Sequence, residues 1–407
     1  MPPKSTTSNI DTVIFGGGVS GLWLLAHLTK LGHAAVLLES HELGRGQTVA
    51  SQGIVHGGFK YSLSGLVTRS ARQVSNLPQV WRRCLAGEQH PKISNTRMRA
   101  EFCYLWQTQS LKSRLSMLSA RAMLKVSPTR LTHEATPEIL NNCPGQVYRL
   151  DEQVLEPASL IADLADQMND RILRINTNSG LEIVCSEPGQ VRLIRLMNPD
   201  TGEPLDLEPR NVIFTAGIGN AALRRVVGLD AATLQRRPLH MVVAKGNLPR
   251  LNGHCIDGGR TRVTITTTQD FRQQNIWQLG GQIAEQGVNM ETASLVEHAI
   301  QELSKILPAF DPTGTQWSTY RVDRAEERFR GHRPSDACVH RRGNVITAWP
   351  TKMVLAPRLA EKVVTSLTNT SLLTPANSIN IPARDKWPRP DIAMPPWETP
   401  LQWITND

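Results

Sequence analysis

The sequence predicts an α/β fold, α+β overall: a doubly wound domain on a parallel sheet joined to a second domain on a mixed or antiparallel sheet. Three observations support this. A short apolar run at 12–15 (TVIF) opens into Gly16-Gly17-Gly18-Val19-Ser20-Gly21, and a helical stretch and a second apolar run follow, the order of a right-handed βαβ unit. Between 233 and 330, strand-like stretches dominate. The chain has 407 residues, more than one core usually organises, so two domains interleaved in sequence are expected.

Taken in order, residues 12–15 read as a buried parallel strand ended by glycines. A helix is expected over 20–31, with Leu22, Leu25, Ala26 and Leu28 as its apolar positions and Gly32 as its stop. Residues 35–38 form a second strand ending at Glu39. The next stretch, QTVASQGIVHGGFKY at 47–61, is rich in hydroxyls and glycine and makes poor hydrophobic core. From 62 to 130 the pattern is mainly helical, with a strand at 98–106. Pro157 and Ser159 suit the start of a helix within 154–168, followed by a strand in RILRIN. A strand at 211–214 leads into Thr215-Ala216-Gly217-Ile218-Gly219. HMVVAKG, TRVTITTT and NIWQLGG read as strands, and a helix is expected at 294–307. The Pro- and Trp-rich residues 368–407 read as a strap over the surface or as a flexible tail.

Composition narrows the classes. Apolar residues at 40% and charged residues at 20% exclude a largely disordered chain. The opening MPPKSTTSNI has no apolar signal region, and the apolar runs are too short to span a bilayer, so a cytoplasmic location is expected. The six cysteines are scattered without CxxC spacing and read as reduced structural thiols, and no metal site is expected. A net charge of +9 favours an anionic partner. The basic residues are dispersed and aromatics are only 5%, so no dedicated nucleic-acid surface is expected.

The segment 16–21 fits GxGxxG, and its context gives each residue a task. Gly16 allows the tight turn, Gly18 lets a pyrophosphate approach the backbone, and Gly21 lets helix and strand pack closely. The N–H groups of Val19 and Ser20 open the helix and meet negative charge. Glu39, with Ser40 beside it, can accept hydrogen bonds from an adenosine ribose, and its charge disfavours NADP. FAD and NAD share this unit, and a glycine turn in a nucleotide-free fold is the bland alternative.

Residues 12–21, Glu39 and the 47–61 stretch together resemble the FAD-dependent oxidoreductases of the D-amino-acid oxidase superfamily. SQGIVHGGFKY is most similar to the glycerol-3-phosphate and L-2-hydroxyglutarate dehydrogenase branches. The resemblance implies a Rossmann-like FAD domain made of 1–62, 150–222 and 331–367, and a substrate domain made of 63–149 and 223–330. It implies that Thr48, Ser51, Gln52, Gly53, His56 and Gly57 run beside the cofactor. It also sets Ala216 and Gly217 at the adenine side, and Thr351, Lys352 and Met353 at the start of the last helix, facing the flavin pyrimidine. Relatives often have glycines there, whereas this chain reads Trp349-Pro350-Thr351-Lys352-Met353. Lys352 therefore either stabilises the reduced flavin at its N1–C2=O edge or points into solvent.

The implied activity is oxidation of a CH–OH or CH–NH bond in a small anionic substrate: a 2-hydroxy acid, polyol phosphate or amino acid. His56 is the candidate base or substrate hydrogen-bond donor, with cofactor packing and a covalent flavin link as its other readings. Lys60, Tyr61 and Arg333 are the candidates for holding an anion. Helix capping is the alternative for the first two, and an ion pair with Asp336 or Glu326 for the third. Arg321, Arg324, Arg328 and Arg330, interleaved with acids, read as salt-bridged surface. His240 and His254 read as structural histidines, and Trp277 as sheet packing more than cavity lining. The electron acceptor (oxygen, quinone or a carrier protein) stays open, as does peripheral contact with the inner face of a membrane. An FAD-binding protein acting on or with RNA is the other functional class.

Overall fold

A computed structural model describes residues 6–57, 76–108, 128–257, 260–328, 334, 336–350, 352–368 and 387–406. The first apolar run is the end of a longer strand, β1 (Thr6–Phe15), followed by α1 (Val19–Lys30) and β2 (Ala35–Glu39). β1 pairs in parallel with β2 on one side and with Pro204–Phe214 on the other. Ile172–Arg174 extends the sheet beyond β2, and Val345–Trp349 extends it beyond Pro204–Phe214, both in parallel. The chain therefore crosses from one side of β1 to the other, which makes the C-terminal end of β1 a topological switch point.

Alternation along these strands explains the layers. Ile14, Leu37, Ile213 and Ile346 point to one core, which also holds Leu22, Leu25 and Leu28 of α1. Val13, Phe15, Val36, Leu38 and Phe214 point to the other, which is closed by the Leu181–Glu187 and Gln190–Met197 hairpin. α1 is buried nearly all round because it lies between the sheet and the helices Pro157–Asp166 and Ala356–Thr368.

The second sheet has nine strands among the described residues, antiparallel except where Gly253–Asp257 runs parallel to Cys103–Gln107. Its order begins Ile404–Asn406, Thr315–Glu327, Leu234–Lys245, Asn275–Gly280, Arg260–Gln269. Helix Thr292–Ile306 covers one face through Leu295, Ala299 and Leu303. The opposite face, with Met241, Val243 and Tyr320, packs against Ala50 and Trp397.

Two sequence expectations change, and an alternative left open at the end of the chain narrows. Helix Leu77–Leu85 lies in the 63–149 stretch assigned to the second domain, yet Leu77, Trp81 and Cys84 pack into the α1 core, and Trp81 Nε1 donates to the Val354 carbonyl at 3.1 Å. Its spacing marks an apolar face without saying which sheet will receive it. The strand expected at 98–106 is two, Met98–Ala100 and Cys103–Gln107, in different sheets. Within the expected strap or tail, residues 387–406 are docked: Trp387 Nε1 donates to the Arg174 carbonyl at 2.8 Å, the Leu43 N–H to the Asp391 carbonyl at 2.7 Å, and Ile404–Asn406 pairs with Thr315–Trp317. Among the described residues no helix is long and apolar enough to cross a membrane.

Candidate active site

A cleft of about 1290 Å³ opens at the switch point and is walled on its far side by the second sheet. Strand geometry builds its floor. The Thr215 N–H donates to the Phe15 carbonyl at 2.8 Å, and the backbone of Gly16 passes so close to Ala216 that a Cβ on Gly16 would stand 2.5 Å from Ala216 Cα. Gly21 lies beneath the cleft, where any side chain would strike the Gly16 carbonyl. Gly18, Val19 and Ser20 line the cleft at the start of α1, which has no side-chain cap of its own residue, and Thr48 Oγ1 accepts the Val19 N–H at 3.4 Å. A row of backbone donors and a hydroxyl thus faces the cavity, the arrangement that receives an anion.

Glu39 ends β2 at the cleft wall beside Ser40. Its Oε2 accepts the Gly17 N–H at 2.6 Å and its Oε1 the N–H groups of Ser40 and His41 at 2.8 and 2.9 Å. A carboxylate has about four acceptor sites, so capacity remains for hydroxyl donors. Ala216 and Gly217 line the opposite side.

The 47–57 segment runs along the cavity between the two sheets. Gln47 Oε1 accepts the Ala325 N–H at 3.1 Å, and the Ala50 carbonyl accepts from Tyr320 Oη at 2.9 Å. Ser51 Oγ is buried in the cleft wall without a hydrogen-bond partner among the described residues, a cost unless something in the cleft satisfies it. Gln52 lines the cleft while its amide nitrogen reaches across to the Thr264 and Gln278 carbonyls at 3.0 and 2.9 Å. Gly53 also lines the cavity, its backbone pressed against Leu155. Gly57, expected beside the cofactor, lies behind the wall with its N–H on Glu152 Oε1 at 2.7 Å.

His56 stands at the cleft with its Nδ1 3.2 Å from Glu152 Oε2. His254 Nε2 approaches the same oxygen at 3.5 Å, and the two imidazole centroids are 5.5 Å apart. Burial works against ionisation of Glu152, but the charge of His56 and hydrogen bonds from both rings outweigh it and hold the carboxyl below the usual carboxylate range. These three groups lie within 4.8 Å of one another, a cluster the sequence did not announce.

Lys352 is buried, at 8% exposure, and lines the cleft with Met353 at the N-terminal end of the short turn Met353–Leu355 that leads into the last helix. The solvent-pointing reading is thereby corrected. Arg321, Asp323 and Arg324 also border the cavity; Arg324 pairs with Glu285 at 3.2 Å, and Arg321 donates to the Val288 and Met290 carbonyls. His240 is a satisfied structural histidine, bonded to the Gly287 carbonyl and Thr319. Trp277 packs on Phe310 on the helix-covered side of the second sheet. Lys60, Tyr61, Arg333 and Thr351 lie outside the described residues.

Sequence reasoning missed Glu152 and undervalued His254. Glu152 precedes a two-residue strand in an unremarkable polar stretch, and its partners are 96 and 102 residues away, so no local pattern marks it.

The cleft has the donors for a diphosphate, a carboxylate for a ribose, an unsatisfied buried hydroxyl and an imidazole along one cavity, which fits an extended adenine dinucleotide. The family described as DAO, FAD-dependent oxidoreductase, matches residues 11–356. A probable FAD-dependent oxidoreductase of Pseudomonas aeruginosa is 37% identical over 410 residues, spanning 98% of this chain and 99% of that protein. The crystal structure of the Pseudomonas aeruginosa FAD-dependent oxidoreductase superposes with a TM-score of 0.80 at 34% identity, covering 97% of this chain and 99% of that one. Glycine oxidase from Geobacillus kaustophilus shares the fold at a TM-score of 0.63 and 15% identity, over 89% of this chain and 95% of its own. L-α-glycerophosphate oxidase from Mycoplasma pneumoniae, solved with FAD bound, does so at 0.60 and 14%, over 88% and 95%. The chain is an enzyme that binds FAD and belongs to the DAO family of FAD-dependent oxidoreductases.

Proposed function

We propose that the enzyme oxidises the CH–OH or CH–NH bond of a small anionic substrate, such as a 2-hydroxy acid, a polyol phosphate or an amino acid. The observation that carries this reading is His56: an imidazole on the cleft wall, held by a buried carboxylate, where the 47–57 segment meets the second sheet. FAD supplies the two-electron acceptor when bound.

The chain's own residues divide the work. Val19, Ser20 and Thr48 receive the diphosphate, Glu39 and Ser40 the ribose, and Ser51 a further cofactor oxygen. Ala216 and Gly217 border the adenine side. His56 accepts the heteroatom proton of the substrate, and Glu152 keeps its ring oriented through Nδ1. Lys352 and Arg260 add positive charge to the cleft, which favours an anionic substrate over a neutral one. Two proteins that share the fold, a glycine oxidase and an L-α-glycerophosphate oxidase, are named for substrates of the same size and charge class.

The test is anaerobic mixing of the flavin-loaded protein with a panel of 2-hydroxy acids, polyol phosphates and amino acids, followed at the oxidised-flavin absorbance band. Bleaching by one charged class, slowed about 100-fold or more in His56→Gln, is the expected result. A panel that bleaches nothing, or a His56→Gln variant as fast as wild type, overturns the reading.

A further inference from the structure

His254 lies on the Gly253–Asp257 strand, fully buried, and its Nδ1 is 2.9 Å from Thr264 Oγ1 on the neighbouring strand. Its Nε2 approaches Glu152 Oε2, the oxygen that also meets His56 Nδ1. Glu152 itself is 2% exposed, and its other oxygen is taken by the Gly57 N–H. One buried carboxylate is therefore shared by two imidazoles, one at the cleft and one inside the second sheet. Thr264 lines the cleft as well, so the chain Thr264, His254, Glu152, His56 begins and ends at the cavity wall.

A carboxylate buried to this extent persists only when paired, because desolvating an uncompensated charge costs several kcal/mol. One backbone N–H does not supply that compensation; a proton shared with the imidazoles does. The same carboxylate then favours the protonated ring of whichever histidine holds the proton, and the three groups titrate as a unit.

We propose that Glu152 and His254 are positioning residues that turn His56 into the cleft-facing end of one buried proton-holding unit. The proposal rests on the reading above that His56 meets the substrate. In the step, the substrate O–H or N–H bond breaks and its electron pair stays on the heteroatom. The proton bonds to His56 Nε2, and the resulting imidazolium is paired with the Glu152 carboxylate through Nδ1. His254 tunes this pair by competing for the same Oε2. Among the described residues, Glu152, from the segment before Val154–Leu155, and His254, from the second sheet, are titratable groups that face the His56 ring.

The experiment is a pH titration of the flavin-loaded protein carrying ¹⁵N-labelled histidine, read by NMR, with the two resonances assigned through His56→Gln and His254→Gln. In Glu152→Gln, the pH at which His56 loses its proton should fall by about one unit or more, a tenfold loss of proton affinity. Glu152→Asp, which keeps the charge, should restore part of that shift. His254→Gln should move the His56 titration upward, because a competitor for Oε2 is gone. A His56 titration unchanged in a flavin-retaining Glu152→Gln overturns the proposal. If Glu152→Gln does not hold flavin, the His254→Gln arm decides: an upward shift supports the unit and no shift overturns it. A stoichiometric metal ion in the wild type that Glu152→Gln loses also overturns it, since the ring nitrogens would then be ligands. No substrate enters this measurement, so a silent substrate panel defeats the oxidation reading without touching the coupling, and the reverse holds equally.

Discussion

Gly53 gives the sharpest test of how the cleft is built. Its φ is +72°, and a Cβ added there would stand 2.0 Å from the Leu155 carbonyl oxygen, far inside ordinary contact. That carbonyl belongs to a fully buried residue whose N–H already donates to the Gly53 carbonyl at 2.9 Å, so the two backbones cannot separate without losing their bond. The left-handed conformation alone costs a residue with a Cβ roughly 1–2 kcal/mol. Overpacking adds about 1–3 kcal/mol. Gly53→Ala should therefore destabilise by about 2–5 kcal/mol. Gly46 is the control: its φ is +79°, but nothing lies within 4 Å of the position a Cβ would take. Gly46→Ala should cost only the conformational part, roughly 1–2 kcal/mol. Urea unfolding of both variants, with flavin content measured per mole of protein, separates the two effects. Equal losses within about 0.5 kcal/mol, or a Gly53→Ala that keeps full stability and flavin, would refute the close approach as the reason for glycine.

Other consequences follow from buried charge and from the strap. Arg99 and Glu156 form a nearly buried ion pair at 2.8 Å, with Thr268 on the same carboxylate, so Glu156→Gln should cost about 3–5 kcal/mol at neutral pH by leaving Arg99 uncompensated. Burial opposes ionisation of Glu156, yet the Arg99 charge and hydrogen bonds hold its carboxyl below the ordinary value. Its stabilisation is therefore complete above the unfolded-state value and is lost as pH falls through the lower folded-state value; the gap between wild type and Glu156→Gln should close there, and a pH-independent gap contradicts the assignment. Replacing Lys352 by Met should make the flavin midpoint potential more negative by about 30 mV or more, the equivalent of roughly 1.4 kcal/mol for two electrons, and an unchanged potential removes Lys352 from the flavin's electrostatics. Deleting 387–407 removes the buried Trp387 and Trp397 and should lower the unfolding free energy, read by urea denaturation, by about 3–5 kcal/mol or more, whereas a flexible tail would be lost without effect.

What the sequence discloses is whatever local periodicity and spacing encode. The first βαβ unit is legible because one strand, six glycine-rich residues, one helix and a terminal acid sit within thirty residues, each with a physical task. The 181–197 hairpin is not, since its first strand alternates between half-buried and exposed residues and carries little apolar signal. Helix Leu77–Leu85 shows its apolar face but not its destination. Glu152 and His254 become a pair only when a strand of the second sheet is laid against the turn that follows Val147–Leu150, and no spacing rule spans a closure of 102 residues. Lys352 was visible as an anomaly at a helix start; that it is buried in the cleft is a property of the fold.

The 47–57 segment explains how such weak core material can be a rigid wall. It offers little apolar mass, so hydrogen bonds fix it instead, and they come from the short Val154–Leu155 strand and from the second sheet. On one side the Val55 N–H donates to the Gln153 carbonyl at 2.8 Å and the Leu155 N–H to the Gly53 carbonyl. On the other, Tyr320 bonds Ala50, Gln52 bonds Thr264 and Gln278, and Ala325 bonds Gln47. Tyr320 is in turn held by Gln278 at 3.0 Å, whose side-chain oxygen accepts from Arg99. A segment tied this way has its bare backbone and hydroxyls already oriented before any ligand arrives, so binding needs little further ordering. The same ties make the second sheet part of the cleft's framework: a change at Tyr320 or Gln278 reaches the cleft wall through the backbone between Ala50 and Gly53.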